Sequence, residues 1–157
     1  MTVMTRSADE GDISVLVDLM QEFYAEAGYA LDRRWASASF AALLKDRARG
    51  AVWLVACDGA PAGYVVLTIR FSMEFGGLDA FIDDLFVRAA YRRRGAGRAA
   101  LRALFDECAR LGVRAVHVEV GHDNAAAQAL YASYGLAPGG DGRQMLTVRL
   151  GGAQGGA

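Results

Sequence analysis

Proline, cysteine and histidine each occur only twice in this chain, and a single Lys accompanies sixteen Arg. Cys57 and Cys108 lie far apart without CxxC spacing, which excludes a zinc ribbon and a disulfide framework. Reduced thiols make the cytoplasm the expected compartment. His117 and His122 are too few and too isolated to imply a metal site, and no metal is expected. The longest wholly apolar run, Ala51 to Cys57, is far shorter than the roughly 20 residues of a membrane span. The chain also opens on polar residues rather than on a basic-then-apolar signal. A formal net charge of −1 gives no global attraction for nucleic acid or an anionic membrane, so neither is an expected partner.

What is present is apolar and patterned. Hydrophobic residues make up 54% of the 157 and charged residues 22%, enough for one domain with a full core over residues 1–150. Residues 151–157 form a Gly-rich tail, expected to be disordered. Met1 to Ser7 reads as a strand, and Ser7 with Glu10 as a capping box before a helix carrying Ile13, Leu16, Val17, Met20 and Tyr24 at helical spacing. A second helix is predicted over Ser37 to Ala48. Ala51 to Cys57 and Gly63 to Phe71 read as a hairpin joined through the turn Asp58-Gly59-Ala60-Pro61. Beyond a loop from Ser72, Ala80 to Val87 reads as a strand, Arg98 to Leu111 as a helix and Val113 to Val120 as a strand parallel to the first. A last helix is expected over Asn124 to Tyr134 and a final strand over Met145 to Leu150.

The segment Arg92-Arg93-Arg94-Gly95-Ala96-Gly97-Arg98 joins that strand to its helix. Glycines admit a close ligand, a helix start offers unpaired N–H groups and the positive end of its dipole, and the arginines add fixed charge. The pattern therefore reads as a pyrophosphate cradle. Gly95-Ala96-Gly97-Arg98-Ala99-Ala100 also matches the looser dinucleotide fingerprint Gly-x-Gly-x-x-Ala, with Glu119 as its ribose-binding acid. Against it, seven residues separate Val87 from Gly95, and the residues that follow are too few to complete a doubly wound sheet.

Arg92-Arg93-Arg94-Gly95-Ala96-Gly97 resembles the Arg/Gln-x-x-Gly-x-Gly/Ala motif of the GNAT N-acetyltransferase superfamily. Asn124-Ala125-Ala126-Ala127-Gln128-Ala129-Leu130-Tyr131, followed by Gly135-Leu136, resembles that family's second motif, and the element order from Met1 to Leu150 is similar to the family's. The resemblance implies an α/β (α+β) fold with a mixed, splayed central sheet of six or seven strands flanked by helices. It implies acetyl-CoA as co-substrate and transfer of acetyl to a primary amine of a small molecule or peptide by direct attack.

On the donor side the resemblance assigns the backbones of Leu85, Phe86 and Val87 to the pantetheine arm, and Arg92, Arg93, Arg94, Gly95, Ala96, Gly97 and Arg98 to the pyrophosphate. Asn124 reads equally as a helix cap or a cofactor contact. Tyr131, at the Leu-Tyr position, would contact the cofactor and protonate the departing thiolate. Glu119, Asp83 and Glu74 remain open as the base. Together with Asp84 they would favour a cationic amine. A homodimer is common in the family. The rival reading is a non-catalytic acyl-CoA-binding regulatory module on the same fold, from which Tyr131 distinguishes the enzyme.

Overall fold

The computed structural model describes residues 1–151; most of the Gly-rich tail lies outside the described residues. Five strands, β1 (Val3–Ser7), β2 (Gly50–Cys57), β3 (Ala60–Ser72), β4 (Gly77–Val87) and β5 (Ala115–His117), form a single sheet in chain order. Each pair is antiparallel except β4 with β5, which is parallel. The helices are α1 (Ile13–Glu26), α2 (Arg33–Leu44), α3 (Ala96–Leu111) and α4 (Ala125–Ala132).

Period-two alternation along β2 and β3 sorts their side chains into two cores. Val55, Val65 and Leu67 join Leu101 and Leu104 of α3 on one face. Val52, Leu54, Tyr64 and Val66 join Leu16 and Leu19 of α1 and Phe40 of α2 on the other. The hairpin forms, with a tighter turn than expected: Asp58 and Gly59, both at positive φ (49° and 82°), make a twist-matched two-residue turn, and Ala60 and Pro61 already belong to β3. Among the described residues, no helix is long and apolar enough to cross a membrane.

Several boundaries differ from expectation. The capping box is Asp9 with Asp12 rather than Ser7 with Glu10: each carboxylate accepts a backbone N–H across a short 3-10 turn, Glu10–Asp12. Arg6 grips Asp12 with two bonds of 2.7 and 2.8 Å, which lowers that carboxyl to about 2. Helix α2 starts earlier because Asp32 accepts the Trp35 N–H and caps it there. Strand β5 is only three residues long, and the expected six or seven strands are five among the described residues. Met145 to Leu150 form no strand, and Met145, Leu146, Val148 and Leu150 stand exposed. A β5 this short offers little ladder to pair with, and Pro138-Gly139-Gly140 does not hold the chain against it.

Candidate active site

Two irregularities of β4 create the site. Its ladder with β3 sets Leu67 opposite Ile82 and Val66 opposite Asp84, so Asp83 has no partner and forms a bulge that re-aims the strand. On its other edge, β4 meets β5 only where Asp79–Phe81 lie against Ala115–His117, yet it continues to Val87. Beyond Phe81 that edge faces no strand among the described residues, and its peptide groups require a ligand or water. The side chains of Leu85 and Val87 pack on the α3 side and Phe86 is buried on the α1 side, leaving only their backbones for an extended ligand.

The connection from β4 to α3 holds arginines of two kinds. Arg88 chelates Glu22 of α1 and donates to the Pro61 carbonyl. Arg92 pairs with Glu26 at 2.6 Å, donates from Nε to the Val87 carbonyl at 2.7 Å and lies over the Phe86 ring. Both tie the turn to α1, which engages Arg92 structurally. Arg93, Arg94 and Arg98 are exposed, and among the described residues their guanidinium groups have no partner.

Gly95 caps α3 at φ 87°, a left-handed conformation that glycine adopts without steric cost. The first bond of the helix is Ala99 N–H to the Gly95 carbonyl, so among the described residues the N–H groups of Ala96, Gly97 and Arg98 have no backbone acceptor. Unpaired amides, the helix dipole and three unpaired guanidinium groups suit an anionic pyrophosphate. Gly97 has a further purpose: a Cβ there would stand 3.0 Å from Leu130 Cδ2, so its bareness lets α3 and α4 meet.

The opposite wall is acidic. Tyr64 donates its hydroxyl to Asp84 Oδ2 at 3.0 Å. Burial, then the charge of Asp83, pushes the Asp84 carboxyl up to about 7 against the opposing pull of Tyr64. Asp83 keeps an exposed surface, yet lost hydration, and then the charge of Glu119, raises its carboxyl above the ordinary value. Tyr131 of α4 is buried, and burial followed by the Asp84 charge raises its phenol above the ordinary range. Among the described residues its hydroxyl has no hydrogen-bond partner.

Asn124 caps α4, its Oδ1 accepting the Ala127 N–H at 3.1 Å. Tyr134 is structural: its ring stacks on Phe105 and its hydroxyl donates to the Arg98 carbonyl. Glu119 has no arginine partner among the described residues, whereas Glu74 is paired with Arg143 at 3.0 Å. Glu119, His117, His122 and Tyr131 line one open cleft of about 1350 Å³ along β5 and α4.

Two features of this cleft escaped the sequence reading. Gln128 Nε2 donates to the carbonyls of Gly121 and His122, holding the β5–α4 loop. Asp79, wholly buried, accepts from Arg70 and lies 2.8 Å from His117 Nε2. The available signal was the alternation of Asp79 with Phe81 on β4, but its partners are remote in sequence.

A mixed sheet opened between two parallel strands, with a turn of unpaired amides and arginines on one side and a buried tyrosine on the other, is the arrangement of an acyltransferase-type α/β domain. The chain belongs to the Acetyltransferase (GNAT) family, which it matches over residues 15–136. It is similar over 95% of its length, at 43% identity and a TM-score of 0.85, to the integron cassette protein HFX_CASS3 from the mobile metagenome of Cole Harbour Salt Marsh, 91% of which is covered. It shares the fold of a predicted acetyltransferase from Clostridium acetobutylicum, solved with acetyl-CoA, at 14% identity and a TM-score of 0.76, covering 92% of this chain and 96% of that one. Over 58 residues it is 43% identical to the [Ribosomal protein bS18]-alanine N-acetyltransferase of Escherichia coli strain K12. That match spans 37% of this chain and 39% of the relative.

Proposed function

We propose that the protein transfers an acetyl group from acetyl-CoA to a primary amine of a small molecule or peptide by direct attack. The observation that carries this reading is Tyr131, a buried phenol with an unpartnered hydroxyl, held protonated by burial and by the Asp84 charge. The residues present fit the co-substrate: the unpaired edge of β4 suits an amide-bearing arm, and the open space at Gly95 suits a close phosphate. When bound, acetyl-CoA supplies a thioester-activated acetyl group.

Leu85, Phe86 and Val87 present backbone groups to the arm. Arg93, Arg94 and Arg98 and the amides of Ala96 and Gly97 hold the pyrophosphate, while Arg92 anchors the turn through Glu26. Asn124 remains a cofactor contact through the amide face that its cap leaves over. Tyr131 Oη holds the proton required by a departing sulfur. Asp83 and Glu119 make the acceptor wall anionic and hold the amine as its ammonium. The partial likeness to a ribosomal-protein-alanine acetyltransferase supports a peptide amino terminus as one acceptor class.

The test is incubation with acetyl-CoA and a panel of peptides, polyamines and aminosugars, with products weighed by mass spectrometry so that the two thiols cannot interfere. An acetylated amine is the expected outcome. Calorimetric binding of acetyl-CoA without any product across the panel would instead support the acyl-CoA-binding module.

A further inference from the structure

His117 occupies the last β5 position paired with β4, opposite Phe81, where the two strands part. Glu119 follows two residues on, just past the end of β5, and lines the same cleft. The His117 imidazole is held from three sides. Nε2 lies 2.8 Å from Asp79 Oδ2, the Phe81 ring centre lies 4.9 Å away and the Phe75 ring centre 5.8 Å away. Asp79 is itself held: Arg70 of β3 donates to it from Nε and Nη2 at 2.9 to 3.1 Å, and Arg70 lies 5.1 Å from the Phe81 ring centre. The guanidinium, and secondarily His117, keeps that carboxyl below its ordinary range although it is buried.

An ionised carboxylate can only accept, so Nε2 carries the proton in this pair. In the neutral ring Nδ1 is then a bare lone pair, and among the described residues nothing bonds to it. The side chain is 33% exposed and lines the same cleft as Glu119 and Tyr131. A buried acid that fixes the tautomer and stabilises the imidazolium is how a structure makes an imidazole an effective base.

We propose that His117, positioned by Asp79 and Arg70, is the proton acceptor for the incoming amine. The proposal rests on the acetyltransferase reading above. The acceptor arrives as an ammonium attracted by Asp83 and Glu119. One N–H bond breaks, its proton passes to His117 Nδ1, directly or through one water, and its electron pair becomes the nitrogen lone pair. The imidazolium, balanced by Asp79, later releases that proton to solvent. Other charges lining the same cleft are Glu119 just past β5, Glu74 in the β3–β4 turn, and Arg114 and Arg143. Arg143 is paired with Glu74, and Arg114 donates to the Phe75 carbonyl of that turn.

The experiment compares His117→Gln, Asp79→Asn and Glu119→Gln with the wild type. The readouts are acetyl-CoA affinity by calorimetry, the pH profile of kcat/KM on an alanine-initiated hexapeptide and spermidine, and the imidazole nitrogen resonances of labelled protein. His117→Gln is expected to lower kcat about 100-fold at neutral pH and to remove the acidic limb of the profile, with acetyl-CoA affinity within twofold. Asp79→Asn is expected to lower kcat as well, at kept acetyl-CoA affinity, since the ring loses the carboxylate that fixes its tautomer. Should Asp79→Asn not fold, His117→Gln and the wild-type resonances decide.

An acidic limb that survives in His117→Gln and disappears in Glu119→Gln would overturn the assignment and give the role to Glu119. Nitrogen resonances showing the wild-type ring protonated on Nδ1 when neutral would overturn it without any turnover. Loss of acetyl-CoA binding by the wild type would instead overturn the acetyltransferase reading.

Discussion

The hydroxyl of Tyr64 in β3 donates to the carboxylate of Asp84 in β4 across 3.0 Å, just past the β4 bulge, with the Tyr64 ring buried among the α1-side residues. Asp84 is raised to about 7 by burial and by Asp83, above the ~3.9 of an unfolded Asp. Between these values the folded state binds a proton that the unfolded state has lost. Stability is therefore fully present below the unfolded value and falls as pH rises toward 7. Asp84→Asn is expected to raise the urea midpoint at pH 8 and to lose that advantage by pH 4; an equal shift at both values would count against the buried charge.

Tyr131→Phe keeps the ring in its packing among the α3-side residues and removes only the hydroxyl. Since that hydroxyl bonds to no described residue, stability should change little. Turnover is expected to fall at least tenfold, within the range of a lost general acid, at unchanged acetyl-CoA affinity. Full turnover in the variant would move the acid role to another group.

The arginines of the turn should separate into two phenotypes. Neutralising Arg93, Arg94 and Arg98 together is expected to weaken acetyl-CoA binding and flatten its dependence on salt, leaving the melting temperature within a few degrees. Arg88→Gln and Arg92→Gln break pairs with Glu22 and Glu26 of α1, so their effect is expected first in stability. Calorimetry beside thermal unfolding distinguishes the two groups.

Gly95 and Gly97 look alike in the motif but constrain different things. Gly95→Ala meets open space and only a strained φ, at a cost of about 1 kcal/mol. Gly97→Val should push Leu130 aside and loosen α4, lowering stability together with cofactor affinity. A Gly97→Val protein as stable as the wild type would show that α3 and α4 have room to spare.

Much of the architecture is legible because its causes are local. The helical stripe of α3, the Asp58-Gly59 turn and the Gly95 turn each depend on residues a few positions apart. The expected final strand fails for the opposite reason: Met145 to Leu150 have strand-like composition, but a strand also requires a ladder, and β5 is only three residues long. The extended reading of Val113 to Val120 fails similarly, because β4 and β5 part after Phe81 and His117.

The motif placed a positive turn, a tyrosine and a set of acids within one chain segment, since spacing along a helix or strand is written directly in residue order. Which charges are left for chemistry was set by contacts between distant segments. Glu22 and Glu26 neutralise Arg88 and Arg92 but not Arg93 or Arg94, and Asp79 reaches a histidine 38 residues away. Charge, burial and proton affinity depend on what surrounds a group in space, so these properties arose only when the sheet brought its strands together.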